Sequence, residues 1–332
     1  MYPPDPSSAA HCTIGGNIAE NAGGARAVKY GVTRDYVLGL EMVLADGTVL
    51  RTGGKAVKNV TGYDLTRLLV GSEGTRGIVT QALLKLIPLP GERRTARALF
   101  PSLEGACRAV ERSIRAGTVP AAAEIMDRTC LEAVAGFQGP ALDSGVEAAV
   151  IFEFDGDGPE SLERQIARAL SSCREAGVVD FRVAASPQEA EELWSTRRGL
   201  SAAVAALAPN RIGEDISVPR AAFPEIVRRI RAIGRQYGLV IAAFGHAGDG
   251  NLHPSILTDL SQPGARQKVD QAVGTIFQAA LQLGGTLSGE HGIGVTKKDY
   301  IAAALGEAGV ATLRAIKKAL DPQGILNPGK IF

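Results

Sequence analysis

The spacing of apolar residues changes along the chain near residue 90. Before this point, short runs typical of strands occur at 36–44 and 48–51, on either side of an Asp-Gly turn, and together they predict a hairpin. A further strand is predicted at 77–87. The Pro-Leu-Pro sequence at 88–90 ends this part, because proline cannot donate to a strand ladder. We therefore expect a domain boundary here.

Beyond the boundary, strand-like and helix-like patterns alternate. A buried strand is predicted at 146–154, where apolar residues are nearly continuous. Apolar residues at three- and four-residue spacing predict helices at 159–176, 222–237 and 266–283. We expect an α+β fold, with a first domain at 1–92 and a second domain at 93–332 that has an antiparallel sheet and flanking helices.

Composition excludes several classes of protein. The 332 residues are 45% hydrophobic and 21% charged, as in an ordinary folded domain. The formal net charge of +1 does not indicate a basic surface for binding nucleic acid. No apolar run approaches the roughly 20 residues of a membrane-spanning helix, and the chain does not start like a signal peptide. The four cysteines form no Cys-x-x-Cys pair. We expect reduced thiols, no nucleic-acid partner, no integral membrane segment and a cytoplasmic location.

A first histidine motif occupies residues 244–253. His246 and His253 lie on either side of Asp249-Gly250, a strong two-residue turn. A turn centred there would pair residue 246 with residue 253, with their Cβ atoms about 5 Å apart on one face of the hairpin. Two imidazoles in this position could share one ion. Ordinary hydrogen-bonded strand histidines are the alternative.

A second motif at 288–294 contains Glu290 and His291. The chain has four histidines, and three of them fall within these two glycine-rich motifs. Glu290 would complete a set of His246, His253 and one carboxylate for zinc, manganese or iron, with open positions for a substrate. A hydroxyl beside such an ion is acidified, and His291 is the predicted general base. A fourth ligand or a helix-capping contact are the alternatives for His291.

An arginine interrupts the apolar side of a predicted helix that starts at Ser186. Arg197 lies between Leu193 and Leu200 on a stripe that continues to Val204 and Leu207. A guanidinium there needs an anion, either an internal carboxylate or the carboxylate of a substrate. Arg198, one step round the helix, should be solvated. With a substrate carboxylate on Arg197 and a hydroxyl on the metal, the substrate would be a 2-hydroxy acid.

Glycine is abundant, with 40 residues, and is clustered in short bursts. The segments 4–8 and 13–24 offer hydroxyls, amides and backbone that a flat or phosphorylated ligand could approach. Tight turns are the alternative. Neither a Gly-x-Gly-x-x-Gly sequence nor a phosphate-loop lysine motif is present.

Taken together, the motifs resemble one family over residues 4–332. It is the family of FAD-linked oxidases, vanillyl-alcohol-oxidase-like flavoproteins that include glycolate oxidase FAD-binding subunits, D-lactate dehydrogenases and D-2-hydroxyglutarate dehydrogenases. The resemblance is carried by the two histidine motifs and by the sequences at 13–17, 29–33, 59–65, 77–80 and 321–330.

The resemblance implies oxidation of a hydroxy acid to the 2-oxo acid, with hydride transfer to flavin N5. It implies a metal at His246, His253 and Glu290, His291 beside the isoalloxazine, and a substrate carboxylate on Arg197. We also assign Asn251 to the substrate. The residues assigned to FAD are Pro4, Asp5, Ser7, Ser8, Thr13, Ile14, Gly15, Gly16, Asn17, Asn21, Gly24, Gly77, Ile78, Val79 and Asn327.

Members of this family begin with another half of the flavin domain, which has no counterpart upstream of Pro4. We therefore expect 1–92 to be the C-terminal part of an FAD-binding domain. Either the chain is a fragment, or a separate chain supplies the other half. We expect an iron-sulfur or other electron-transfer partner subunit, which could hold the protein at a membrane surface. The alternatives are a flavin-free metal hydrolase and an inactive remnant or assembly subunit.

Overall fold

The computed structural model describes residues 1–134 and 145–332, which form two compact units. The first unit contains Met1–Leu89 and Leu287–Phe332, and the second contains Pro90–Thr286. The break at 89–90 falls at the Pro-Leu-Pro sequence. The expected division into 1–92 and 93–332 differs from the units in two respects: the break falls at 89–90, and the C-terminal segment returns to pack with the first part of the chain.

The secondary structure follows one order along the chain. The strands are β1 (Val37–Val43), β2 (Val49–Gly53), β3 (Ile78–Leu84), β4 (Glu92–Phe100), β5 (Ala122–Asp127), β6 (Ala148–Gly156), β7 (Asp180–Val183), β8 (Asn210–Gly213), β9 (Ile216–Ser217), β10 (Val240–His246) and β11 (Asn251–Thr258). The helices are α1 (Ile14–Glu20), α2 (Ala27–Tyr30), α3 (Leu65–Leu69), α4 (Leu103–Arg115), α5 (Arg128–Ala133), α6 (Pro159–Glu175), α7 (Pro187–Ala205), α8 (Phe223–Tyr237), α9 (Ala265–Gln282) and α10 (Ile301–Leu320).

The first unit is built on an antiparallel sheet in the order β2-β1-β3. The predicted hairpin is β1 and β2, in which Val43 pairs with Val49. Ile18 of α1 and Leu40 and Met42 of β1 are buried in one apolar cluster, against which Leu320 of α10 packs. Burial of this apolar surface against α10 stabilises the return of the C-terminal segment to this unit.

A lysine adds polar contacts to that return. Lys317 Nζ donates hydrogen bonds to the carbonyl oxygens of Thr75, at 2.6 Å, and Leu326, at 2.7 Å. It also forms an ion pair with Asp321, whose carboxylate is buried. Charge-assisted bonds of this kind are stronger than neutral ones. The end of the chain is therefore fixed to the loop before β3.

The second unit is built on one antiparallel sheet in the order β7-β4-β6-β5-β10-β11-β8, with β9 paired to β11. The predicted strand at 146–154 is β6, and the predicted helices are α6, α8 and α9. An α+β fold with an antiparallel sheet and flanking helices is therefore confirmed.

The two faces of this sheet carry different helices. Leu99 and Phe100 are neighbours on β4, so their buried side chains point to opposite faces. Leu99 belongs to a cluster with Leu200 and Val204 of α7, whereas Phe100 lies beside Gly105 of α4. The helix α7 therefore covers the face to which β5 and β10 contribute Met126 and Phe244.

The start of α7 follows the sequence prediction closely. The Ser186 hydroxyl accepts a hydrogen bond from Glu189 N, and the Glu189 carboxylate accepts one from Ala185 N, one residue earlier than a capping box requires. Leu207 lies beyond the last residue of α7 and is exposed, so the predicted stripe ends at Val204.

In the described residues, no helix combines the length and the hydropathy needed to cross a bilayer. The four cysteines are free thiols; Cys12 is partly exposed, and the other three are buried. Burial raises the pKa of Cys173 to about 12, which keeps this thiol protonated at neutral pH.

Candidate active site

The hairpin of β10 and β11 carries the first histidine motif, in a register that corrects the sequence prediction. His246 pairs with Asn251 and Phe244 pairs with His253, so the direct pairing of the two histidines was wrong. The connection is a four-residue loop, because Asp249 N and Gly250 N both donate to His246 O. The Asp249 carboxylate accepts from Asn251 N at 3.1 Å and so closes the loop, rather than forming the centre of a two-residue turn.

The two imidazoles nevertheless lie together. The register differs from the predicted one by an even number of residues, which keeps both side chains on the same face of the hairpin. Their ring centroids are 5.2 Å apart and the ring planes are nearly perpendicular, at 88°. Both side chains are buried. The sheet therefore holds two adjacent imidazoles in fixed positions.

A buried carboxylate connects His246 to Arg197. Glu124 Oε1 lies 2.5 Å from His246 Nδ1, and Glu124 Oε2 lies 2.6 Å from Arg197 Nη2. The Glu124 side chain is 1% exposed. Burial alone would raise the pKa of Glu124, but its contacts with His246 and Arg197 together hold it below the ordinary value. Glu124 is therefore the anion at the centre of this network.

Arg197 is buried on α7, as its position on the apolar stripe predicted. The sequence predicted either an internal carboxylate or a substrate carboxylate as the partner of this guanidinium. In the structure, Glu124 is an internal carboxylate that pairs with it. The guanidinium also lies over the Phe244 ring, 5.1 Å from the centroid, and Arg211 approaches the same ring at 6.0 Å. Arg198 is exposed, as expected, and it forms an ion pair with Glu191.

The other histidine also faces a carboxylate. Asp215 Oδ1 lies 3.8 Å from His253 Nδ1 and accepts a hydrogen bond from Asn251 Nδ2 at 2.5 Å. Asn251 Nδ2 also donates to Ile216 O at 2.8 Å. The amide N–H groups of Asn251 thus serve the protein, and a substrate contact from this residue would have to use Oδ1.

In the first unit, the second motif forms a loop that is held by its backbone. Ile293 N and Gly294 N donate to the two oxygens of the Glu73 carboxylate, at 2.7 and 2.8 Å. Glu73 has a left-handed backbone with φ of 50°, unusual for a residue with a side chain, and its carbonyl accepts from Asn327 Nδ2. Such strain persists only where surrounding contacts enforce it. Glu73 therefore fixes the loop that follows Glu290 and His291.

Glu290 is partly buried and His291 is exposed. A Cβ atom added to Gly23 would lie 3.1 Å from Glu290 Oε2, so a glycine leaves the room that this carboxylate needs. Glu20 lies near the same loop. Partial burial and the neighbouring charge of Glu73 raise the pKa of Glu20 to about 7.

The residues assigned to FAD all lie in the first unit, and many have structural contacts there. Thr13 caps α1, Asp5 pairs with Arg26, and Asn21 Oδ1 accepts from Arg34 N. The exposed members are Ser7, Ser8, Thr13, Ile14, Gly15, Gly16, Ile78 and Asn327; Pro4, Asp5, Asn21 and Val79 are partly buried, and Asn17, Gly24 and Gly77 are buried.

The sequence did not predict a role for three carboxylates, those of Glu124, Asp215 and Glu73. Glu124 had a readable signal, because it is the charged residue inside the apolar run Ala122–Met126 of a buried strand. A charge at such a position requires a partner. Asp215 and Glu73 lie in loops, where an acidic residue is unremarkable.

Two family models match the chain. Residues 89–331 match the family described as FAD linked oxidases, C-terminal domain, and residues 1–53 match the FAD binding domain family. The chain belongs to the FAD-linked oxidase family.

Among its relatives, the glycolate oxidase subunit GlcD of Bacillus subtilis is 45% identical over 332 residues, which is all of this chain and 70% of the relative. The GlcD subunit of Escherichia coli K12 is 37% identical over 99% of this chain and 66% of its own length. A D-lactate dehydrogenase of Anaerostipes hadrus is 36% identical over all of this chain and 71% of its own length. The chain thus spans about two thirds of these relatives.

Solved structures share the fold at lower identity. A p-cresol methylhydroxylase with bound substrate gives a TM-score of 0.77 at 17% identity, covering 98% of this chain and 70% of that one. An alkyldihydroxyacetonephosphate synthase gives 0.69 at 17% identity, covering 99% and 59%. These similarities concern the fold alone.

Proposed function

We propose that the chain is the metal-binding and substrate-binding part of an FAD-dependent enzyme that oxidises a 2-hydroxy acid to the 2-oxo acid. Glycolate, D-lactate and D-2-hydroxyglutarate define the substrate class. The observation that carries the proposal is the buried imidazole pair, His246 and His253, connected through Glu124 to the guanidinium of Arg197. The names of the two GlcD subunits and of the D-lactate dehydrogenase support the same reaction.

The donor set suits a divalent ion such as zinc, manganese or iron, held by His246, His253 and Glu290. A histidine that binds a metal through one ring nitrogen usually donates the N–H of the other ring nitrogen to a carboxylate, a carbonyl or water. Here Nδ1 of His246 meets Glu124, and Nδ1 of His253 faces Asp215. Coordination would then use Nε2 of both rings. A bound divalent ion lowers the pKa of a hydroxyl group beside it.

Two further residues have roles in this proposal. His291 would take the hydroxyl proton on a ring nitrogen, because a neutral imidazole can accept a proton at neutral pH. Arg197 would bind the substrate carboxylate. Glu124 contacts one of the five N–H groups of this guanidinium, and among the described residues no hydrogen-bond partner is found for the buried Nε. Asn251 would contact the substrate through Oδ1.

The exposed residues among those assigned to FAD would hold the cofactor, which would supply the acceptor for the hydride. A Cβ atom at Gly15 would have no neighbour within 4 Å, so a flat ligand can approach this backbone closely. Since two relatives are named as subunits, we propose an electron-transfer partner that reoxidises the flavin, in the cytoplasm or at a membrane surface.

The visible spectrum of the chain after addition of FAD and gel filtration tests the proposal. Retained flavin absorbance that bleaches anaerobically with a 2-hydroxy acid is expected. Gly15→Trp should abolish flavin retention by filling the open space. Gly199→Trp is the matched control, because Gly199 is also helical and equally open. A flavin-loaded chain that is not bleached by any 2-hydroxy acid would contradict the proposal, and hydrolase activity with bound metal but without flavin would favour the flavin-free alternative.

A further inference from the structure

We propose that Glu124 is a positioning residue that orients His246 for metal coordination and Arg197 for carboxylate binding, and so couples the two. The inference rests on the proposed function of these two residues. Neither the sequence motifs nor the family matches assign a role to Glu124. Its two carboxylate oxygens are divided between the imidazole and the guanidinium.

The backbone ladder fixes one side of this contact. Glu124 on β5 is the direct cross-strand partner of His246 on β10, so both side chains point to the same face of the sheet. The strand β5 lies between β6 and β10, inside the sheet rather than at its edge. Strand pairing therefore places the two residues directly opposite each other, and burial restricts the side chains that form the contact between Glu124 Oε1 and His246 Nδ1.

The other side of the contact comes from α7, which packs on the same face. Arg197 is 7% exposed in its side chain, and its guanidinium is additionally held over the Phe244 ring. Phe244 lies two residues before His246 on β10. One helix and two strands thus converge on a single buried carboxylate.

An ionised carboxylate only accepts hydrogen bonds, and this decides the tautomer of His246. Nδ1 must carry the proton that Glu124 Oε1 accepts, which places the lone pair of the neutral ring on Nε2. That tautomer is the one required for coordination through Nε2. A glutamine could not serve both neighbours while Nδ1 carries the proton, because its single oxygen faces one donor and its N–H₂ group faces the other.

The exchange Glu124→Gln therefore separates this role from general packing. The amide N–H₂ group would face His246 Nδ1 whenever its oxygen faces Arg197, which drives the proton of the imidazole to Nε2. Metal binding would then compete with that proton. We expect zinc affinity to fall about 10- to 100-fold. Glu191→Gln is the matched control, because it removes the carboxylate beside Arg198 on the exposed side of the same helix.

NMR of the histidine ring nitrogens in the metal-free chain gives a readout that does not depend on activity. The chain has four histidines, so a His246→Gln variant assigns the signals. His246 should be protonated at Nδ1 in the original chain and in Glu191→Gln, and at Nε2 in Glu124→Gln. Arg197→Met should shift the His246 signals only when Glu124 is present, because the guanidinium acts through that carboxylate.

The outcomes separate this inference from the proposed function. A His246 tautomer that does not respond to Glu124→Gln, with zinc affinity unchanged, would overturn the inference while leaving the metal site intact. A Glu124-dependent tautomer in a chain that binds no zinc would support the positioning role and overturn the metal site. If Glu124→Gln does not fold, an Nε2-protonated His246 in the original chain is sufficient to overturn the inference.

Discussion

The residues proposed for catalysis are held in two opposite ways in the two units. In the second unit, His246, His253 and Glu124 are buried on paired strands and contact one another through side chains. In the first unit, the loop of Glu290 and His291 is held through backbone N–H groups by Glu73, and His291 is exposed. The first arrangement is built from buried side-chain contacts, whereas the second depends on the carboxylate of Glu73.

The largest effect is expected from substitution of the two buried histidines of the second unit. His246→Ala and His253→Ala should each weaken zinc binding by more than about 100-fold, because each removes a ligand together with the ordered carboxylate contact behind it. The binding of zinc to each purified chain, measured by competition with a chelator, checks this. His11→Ala is the matched control, since His11 is an exposed histidine of the first unit. Full metal occupancy in either variant would exclude a shared ion.

A smaller effect is expected from substitution of Arg197, which pairs with Glu124 beside these histidines. Arg197→Lys should raise the KM for hydroxy acids about tenfold, because an ammonium group cannot hold a carboxylate with two parallel bonds. Steady-state kinetics of the flavin-loaded chain measure it, with Arg198→Lys as the control on the exposed side of α7. An unchanged KM would restrict Arg197 to its internal pair with Glu124.

Local patterns predicted elements in both units, but not the register of every hairpin. The period of apolar residues gave α6, α8 and α9, and the two strands around the Asp-Gly turn at 46–47 pair as expected. The second Asp-Gly turn misled the register, because the Asp249 side chain closes a four-residue loop instead. Both histidines still share a face, since alternation along a strand depends only on whether the shift is even.

Contacts between distant parts of the sequence could not be predicted in the same way. The carboxylate of Glu124 meets His246 only because β5 and β10 are neighbours, an order that no local pattern specifies. Glu73 and Gly294 are likewise far apart in the sequence. Periodicity describes one element at a time, whereas sheet order and the return of the C-terminal segment are set by the burial of the whole core.

The smallest effect is expected from the charge of Glu20, which lies beside the loop of Glu290 and His291. The pKa of Glu20 is raised to about 7 by partial burial and by the charge of Glu73. The folded chain therefore binds a proton that the unfolded chain releases near its ordinary value of 4.5, so this group lowers stability as the pH rises through that interval to about 7. Glu20→Gln removes the charge and with it this loss.

At about pH 8 the Glu20→Gln variant should be more stable than the original chain, and at about pH 4 the two should be equal, because the carboxyl is protonated in both states there. Solvent screening limits the gain to the order of 1 kcal/mol, since the side chain is partly exposed. Thermal unfolding across this pH range measures it, with Glu307→Gln on the exposed side of α10 as the control. A difference between the two chains that does not vary with pH would show that the pKa of Glu20 is not raised in the folded chain.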